Sequence, residues 1–487
     1  MLPSVTATQH FCRAATGHAR SHLNNFRRPR RNYSINYSQM FRMRLNAEQV
    51  GRKFEVSDDE LTVVARRMSD AMDAGLWRNE QPGALATIRC WDTRVPRPSP
   101  PAATDAVVRK FLSLDLCHGD RFRTRFTTLL GAHDVWIRSR EHPLTPRTLM
   151  TGKVANLFDH VAGGLAEFAD EFHVRRAGVP LALTFGFPVW HAGALGGVAS
   201  LCRWTKGFDC ADAMRQDVAA EWRAAAARAD VVVGPVAVLN DACVAMMHSA
   251  ADRPDTRAAL VVDDGCNCCY VSEFGRTVIN TEWGAFGEDG ALDHLLTEYD
   301  RRLDARSQNP SKQIYEKMTS GMYMAELVRM AVLEIASNQA MFEGRTTTSM
   351  DTEYALKAKH LWLVESDTSP SYDGVRAVLT GVLNVTDPSD MDCELFRYVC
   401  RCVTRRSANL IAAGLSAVLR RTGLPVTVVM AGHAFKTHSE YALAVGGKAR
   451  QMTQKQTKFT LRTVDHTQGQ DARIVARVLA TIPANPA

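Results

Sequence analysis

The sequence predicts an α/β fold of two layered domains, in which short sheet strands alternate with longer helices. Three observations carry that expectation. Runs rich in β-branched residues recur at 179–187, 231–239, 258–262 and 425–430, each the length of a buried strand. Helical periodicity fills intervals between and after them, as over 211–228 and 313–336. Finally, 487 residues that are 46% hydrophobic and 23% charged suffice for two such domains and match a globular chain rather than a disordered one.

The N-terminus stands apart from this pattern. Residues 1–47 hold Arg13, Arg20, Arg27, Arg28, Arg30, Arg31, Arg42 and Arg44, with no Lys and no acid. Of the 59 Lys and Arg in the chain these are eight, so 51 basic residues face 52 acidic ones over 48–487, and the net charge of +7 belongs to this leader. A neutral body argues against nucleic acid as a partner. An Arg-rich, acid-free segment with Ser, Thr and scattered aromatics fits mitochondrial targeting or association. Two other readings stay open: a solvated basic cluster at Arg27–Arg31, or an upstream extension of a chain starting at Met40 or Met43. On any of them, 1–47 is expected to lack fixed structure. No apolar run approaches the eighteen or so residues of a spanning helix.

Ser57-Asp58-Asp59-Glu60 is a capping box, in which hydroxyl and carboxylate each satisfy a free amide of a first helical turn. Leu61, Val64, Ala65, Met68 and Met72 follow at helical spacing, with Gly75 as the expected stop. Residues 82–101 carry five Pro and read as an irregular crossing segment, and 107–116 alternates like a strand. Twelve Cys suit a reduced chain. Neither Cys266-Asn267-Cys268-Cys269 nor Cys400-Arg401-Cys402 has the spacing of a zinc ligand set, and no structural metal is expected.

Polar residues then gather where strands end, the place an α/β protein puts its ligands. They are Thr205 and Lys206 in Trp204-Thr205-Lys206-Gly207-Phe208; Asn240 and Asp241 after the run 231–239; Asn267 beyond 258–262; and Glu282, with Gln313 and Glu316 further on. Amides, carboxylates, a hydroxyl and an ammonium without a hydrophobic selector suit a polyhydroxylated ligand, whose hydroxyls both donate and accept. Taken singly, each has a plainer role, as when Asn240 and Asp241 cap a helix beginning at Ala242.

Their order and wording resemble a known family. Asn280-Thr281-Glu282-Trp283-Gly284-Ala285-Phe286-Gly287-Glu288-Asp289-Gly290 closely resembles the sugar-binding signature of the eukaryotic hexokinases, as does Leu181-Ala-Leu-Thr-Phe-Gly-Phe-Pro188 with the segment at Trp204. Thr297 to Met324, through Asn309-Pro310 and Gln313-Ile-Tyr-Glu316, is near-verbatim family sequence. The resemblance runs from about residue 55 to the C-terminus and covers one hexokinase unit. It implies two ribonuclease-H-like domains of the actin/hexokinase ATPase type flanking a cleft. The small domain would comprise 107–240 and 468–487, and the large domain 48–106 and 241–467. The implied activity is ATP- and Mg²⁺-dependent phosphorylation of a hexose, glucose foremost, at its 6-hydroxyl, by a cytosolic monomer of glycolysis. Asp241 matches the catalytic base; Thr205, Lys206, Asn240, Asn267, Glu282, Gln313 and Glu316 match the sugar contacts. One contact departs, because the family's Phe-Ser-Phe reads Phe185-Gly186-Phe187.

The nucleotide side departs further. The family's first phosphate turn, D-L-G-G-T-N-F-R, becomes Asp115-Leu116-Cys117-His118-Gly119-Asp120-Arg121-Phe122-Arg123, retaining Asp115, which would help organise Mg²⁺, but not the glycine pair. The second, G-T-G, reads Asp263-Asp264-Gly265; the third, D-G-S/T, reads Ala431-Gly432-His433; the adenosine loop loses most of its glycines across 465–472. Two added carboxylates near phosphate oppose it: like charges 4 Å apart repel by about 4 kcal/mol at an effective dielectric of about 20. Two expectations follow. One is a divergent hexose 6-kinase using Asp115, Gly265 and Gly432 at its ATP site; the other is a hexokinase-derived sugar-binding or scaffold protein without transfer activity.

Overall fold

Two mixed sheets with the same internal order carry the molecule, in a computed structural model that describes residues 37–78, 91–93, 109–117, 121–130, 135–192, 198–253, 255–271, 278–422, 426–432, 434–435, 438–453, 458–463, 475–476 and 479. The first holds β2 (Lys110–Leu116), β3 (Arg121–Leu129), β4 (Val135–Pro143), β5 (Val179–Phe185) and β8 (Val233–Leu239) in the order β4-β3-β2-β5-β8. The second holds β1 (Trp91–Thr93), β9 (Thr256–Val262), β10 (Cys266–Val271), β11 (Val278–Asn280), β12 (Val426–Ala431) and β13 (Phe459–Thr463) in the order β1-β11-β10-β9-β12-β13. Each sheet is an antiparallel three-strand meander whose first strand pairs in parallel with a later one. That duplication leaves no repeat in the amino-acid sequence. A ribbon of β6 (Val189–Ala192) and β7 (Val198–Leu201) sits beside the first sheet in the chain.

The five strand-like runs are strands with shifted ends, β9 for example beginning at Thr256 rather than 258, whereas β3, β4 and β10 carried no such pattern. The helices differ instructively. α1 (Tyr37–Arg52) runs through the end of the segment expected to lack structure, and Met43, Ala47 and Val50 are buried. Apolar residues at spacings of three and four were the available signal. α2 (Asp58–Arg78) starts at its capping box, Ser57 N donating to Glu60 Oε2 at 2.8 Å, and continues past Gly75, since one glycine costs a helix only about 1 kcal/mol. Leu61, Val64, Ala65, Met68 and Met72 are fully buried, as their spacing requires. Within the Pro-rich segment, Trp91–Thr93 is a strand pairing with β11; the remainder of 82–101 lies outside the described residues.

The helical stretch 211–228 is a short 3-10 turn followed by α4 (Val218–Arg228), because Asp217 caps the latter, accepting from Ala219 N. Likewise 313–336 divides into α7 (Ile314–Thr319) and α8 (Gly321–Ser337) around extended Ser320. There Gly321 N donates to Asp263 O at 2.7 Å, and a Cβ on Gly321 would lie 3.0 Å from that same oxygen. A 30-residue helix, Asp390–Leu419, underlies this region; its Arg406 forms a buried bidentate pair with Asp300, both distances 2.7 Å. Among the described residues no helix is long and apolar enough to cross a membrane, and no three His, Cys, Asp or Glu gather as a metal site.

Candidate functional site

Asp115, Asn240, Asp241, Gly265 and Gly432 stand at the carboxyl ends of β2, β8, β9 and β12, the other candidates lie in the loop after β7, on β10, after β11 and at α7, and side-chain contacts tie most of the set together. β8 ends at Leu239 and α5 (Asp241–Asp252) begins two residues later. Asn240 caps the helix, its Oδ1 accepting from Ala242 N at 2.9 Å. Asp241 Oδ1 accepts from the same amide at 2.8 Å, which fixes the carboxylate, and its Oδ2 lies 3.6 Å from Lys206 Nζ. The side chain of Lys206 is 7% exposed and that of Asp241 16%, so the pair is nearly dry yet open on one side. Lys206 also donates to Gly186 O at 2.8 Å. Thr205, beside it, is buried.

The second group is a web of amides around one carboxylate. Asn267 lies within β10, a strand the sequence pattern did not mark. Its Nδ2 donates to Asn280 Oδ1 at 2.8 Å and reaches Asn240 Oδ1 at 3.2 Å and Glu282 Oε1 at 3.3 Å. Asn280 Nδ2 donates to the same Glu282 oxygen at 2.7 Å, and Asn240 Nδ2 approaches it at 3.3 Å. Glu316, on α7, accepts from Cys266 N at 3.1 Å through Oε2, while its buried Oε1 has no hydrogen-bond partner among the described residues. Gln313 begins α7 with its Oε1 2.5 Å from where a Cβ on Gly284 would stand, so that glycine makes room for the amide.

Burial sets the electrostatics. It raises the Glu282 carboxyl to about 7, helped by Asp241 and Glu316, against the Asn280 hydrogen bond and Lys206. Burial likewise raises Glu316 to about 7, opposed by Lys206, the Cys266 amide and Lys317. Lys206 stays charged: its own burial disfavours the ammonium, but Asp241, Cys117, Glu316 and Glu282 together raise it above the usual lysine range. Lys206, Glu282 and Gln313 all adopt left-handed backbone, at φ 57°, 47° and 54°. Non-glycine residues pay about 1–3 kcal/mol each for such conformations, which cluster at functional sites.

Around the residues expected to hold nucleotide, the groups are less well matched. Asp115 lies 3.8 Å from Arg125 Nη2, a buried cation on the neighbouring strand that the motif comparison gave no reason to expect. Alternation was its signal, since Ser113 pairs with Arg125 and Asp115 with Arg123, placing Asp115 and Arg125 diagonally on one face. In the turn after β9 the Asp263 amide donates to Gly265 O at 2.8 Å, so it is occupied within the turn. Gly265 forms a wall of the sugar-side group as well: a Cβ there would meet Lys206 Cε and lie 2.6 Å from Glu316 Oε2. Gly432, at φ 107°, backs onto the carbonyl of Val262, where a Cβ would collide with backbone. His118, Gly119, Asp120, His433 and the loop 465–472 lie outside the described residues. Gly186 has a local cause too, because a Cβ there would stand 2.8 Å from Lys206 Nζ and 2.9 Å from Cys117 Cα.

Sequence reasoning singled out neither Asn280 nor Glu288. Asn280 sits two residues before Glu282, and Glu288 accepts from Gln313 N at 3.0 Å while pairing with Arg203 and Lys312.

Two family models described as hexokinase match the chain, over residues 46–251 and 257–478. The chain belongs to the hexokinase family. Its relatives include Hexokinase HKDC1 of Homo sapiens, 33% identical over 450 residues, which span 88% of this chain and 47% of that protein. Hexokinase-2 of Homo sapiens is 32% identical over 461 residues, 89% of this chain and 49% of that one. This hexokinase-family chain thus spans about half the length of the curated relatives it matches. Among solved structures it is similar to the hexokinase from Schistosoma mansoni complexed with glucose, with TM-score 0.81, 29% identity, and coverage of 91% of this chain and 99% of that one. The fold is therefore that of the actin/hexokinase-type ATPases, in which both sheets are ribonuclease-H-like.

Proposed function

We propose that this chain transfers the γ-phosphoryl group of ATP to the 6-hydroxyl of a hexose, glucose foremost. The observation that carries the reading is the Asp241 carboxylate, pinned by the Ala242 amide beside a buried ammonium and amid the amide–carboxylate web. Asp241 accepts the hydroxyl proton as the oxygen attacks, and a carboxylate within hydrogen-bond reach suffices for that role. Thr205, Lys206, Asn240, Asn267, Glu282, Gln313 and Glu316 hold the other hydroxyls. The free Oε1 of Glu316 gains its missing partner when a hydroxyl donates to it. Glucose as substrate is supported by the similarity to the glucose complex.

Mg²⁺ accompanying ATP would neutralise charge on its phosphates. The part-exposed carboxylate of Asp115 fits that ion, while Gly432 keeps backbone close behind the turn at Asp263 and Gly265. In this reading the segments 107–240 and 468–487 close on 48–106 and 241–467 when sugar binds. A second reading, sugar binding without transfer, draws on the doubled acid at 263–264 and on Arg125 standing beside Asp115. Glucose 6-phosphate formation by the full chain with MgATP, beside Asp241→Ala, separates the two. Turnover above the variant supports the kinase; glucose binding with turnover equal to the variant overturns it.

A further inference from the structure

A second cavity, of about 330 Å³, opens between the helix Asp390–Leu419 and the residues around His438. Its lining contains none of the residues assigned above to sugar or nucleotide. At its base lies Glu365, whose side chain is 5% exposed and whose Oε1 has no hydrogen-bond partner among the described residues. The other oxygen, Oε2, lies 3.3 Å from His438 Nε2. His438 Nδ1 accepts from Tyr441 N at 2.8 Å, and its buried Nε2 has no hydrogen-bond partner among the described residues. Arg401 and Arg405, one helical turn apart and exposed, also line it together with the exposed acid Glu440, and neither arginine makes an ion pair among the described residues.

A cavity lined by two guanidinium groups without ion pairs among the described residues and by a buried carboxylate oxygen lacking a donor matches a ligand of opposite polarity at its two ends. We propose that this cavity binds a small dipolar molecule, its anionic group on Arg401 and Arg405 and its ammonium or hydroxyl group donating to Glu365.

The cavity is joined to the sugar-side residues by hydrogen bonds whose directions are fixed. Ser407 Oγ donates to Thr319 O at 2.7 Å, so Tyr441, which lines the cavity, donates its hydroxyl proton to Ser407 at 2.8 Å. Thr319 Oγ1 donates to Tyr315 O, so the Cys266 thiol donates to Thr319 Oγ1 at 3.1 Å, and the Cys266 amide holds Glu316. On the same proposal, occupancy of the cavity shifts sugar affinity along this chain of contacts, a consequence that rests on the sugar reading of Glu316.

The test is calorimetry on the full chain with three probes: phosphoethanolamine, inorganic phosphate and ethanolamine. Phosphoethanolamine is expected to bind at least tenfold more tightly than either half. Binding should be lost in the doubly reversed variant Arg401→Glu with Arg405→Glu, whose exposed positions leave the fold intact. Glu365→Gln is expected to weaken phosphoethanolamine but not phosphate. With phosphoethanolamine bound, glucose affinity should shift at least threefold, and Tyr441→Phe should remove the shift. No binding of phosphoethanolamine, or equal binding by the charge-reversed variant, overturns the site. Binding that leaves glucose affinity unchanged overturns the coupling. A chain that binds phosphoethanolamine but no glucose contradicts the sugar reading and leaves the cavity standing.

Discussion

The proposed sugar side draws on the ends of β8 and β11, on β10 and on α7, and the proposed nucleotide side on the ends of β2, β9 and β12; the two treat negative charge in opposite ways. On the sugar side each carboxylate has its own donors: three amides approach Glu282, an amide and an ammonium flank Asp241, and an amide holds Glu316. On the nucleotide side Asp263 and Asp264 bring acids to a turn proposed to receive phosphate, and Asp115 is already faced by Arg125. The difference teaches that the two halves of a transfer site can diverge separately. A sugar is neutral and needs matched donors and acceptors, whereas a polyphosphate needs positive potential that Mg²⁺ can partly supply.

The largest effect that would break the comparison is on chemistry. Asp241→Ala is expected to lower the rate of glucose 6-phosphate formation by roughly 10²–10⁴, the usual worth of a positioned proton acceptor, while glucose titration still shows binding. Loss of sugar binding instead would make Asp241 a binding group only. Next in size is the scaffold. Arg406→Met strands the buried Asp300 carboxylate, which also caps the helix Glu298–Arg306, and should cost about 3–5 kcal/mol in denaturant unfolding. A loss near zero would mean that the sugar side does not depend on that pair.

A smaller effect separates stability from binding. Glu282 and Glu316 sit at about 7 when folded and near 4.5 when unfolded, so the folded state holds protons that the unfolded state releases. Stability from these groups therefore falls as pH rises from about 4.5 to about 7 and is level above that. Glu282→Gln keeps an oxygen for the three amides and removes the charge, so it should stabilise the sugar-free protein by about 1–3 kcal/mol at pH 8 and flatten part of this pH dependence. The same change should weaken glucose at least about tenfold, the worth of about 1.4 kcal/mol. A variant that destabilises at pH 8 would contradict the burial account of Glu282.

The candidate sugar-side residues were legible through the family resemblance, and their local setting through short-range rules. The apolar run before Asn240 announces a strand, and the cap at Asn240 follows from its position ahead of a helix. The capping box at Ser57 needs no tertiary partner. What stayed hidden depends on residues far apart in the chain. Asn280 matters because β11 lies beside β10 and delivers its amide to Asn267, a pairing that no local pattern encodes. The break at Ser320 comes from Gly321 closing on Asp263, more than fifty residues earlier. Arg125 reads as one more polar residue in an alternating strand until the register puts it beside Asp115. The helix Tyr37–Arg52 continues a basic, acid-free segment whose composition alone gives no sign that Met43, Ala47 and Val50 are buried.

Whether the proposed sugar site, altered only at Gly186, sits beside a proposed phosphate turn of the wrong charge is tested most directly by one paired titration. Glucose and MgATP are titrated calorimetrically into the full chain and into the double variant Asp263→Gly with Asp264→Thr. The account predicts that glucose affinity stays within about twofold, while MgATP affinity rises about tenfold, or about 1.4 kcal/mol. Unchanged MgATP affinity, or a shift confined to glucose, would contradict it.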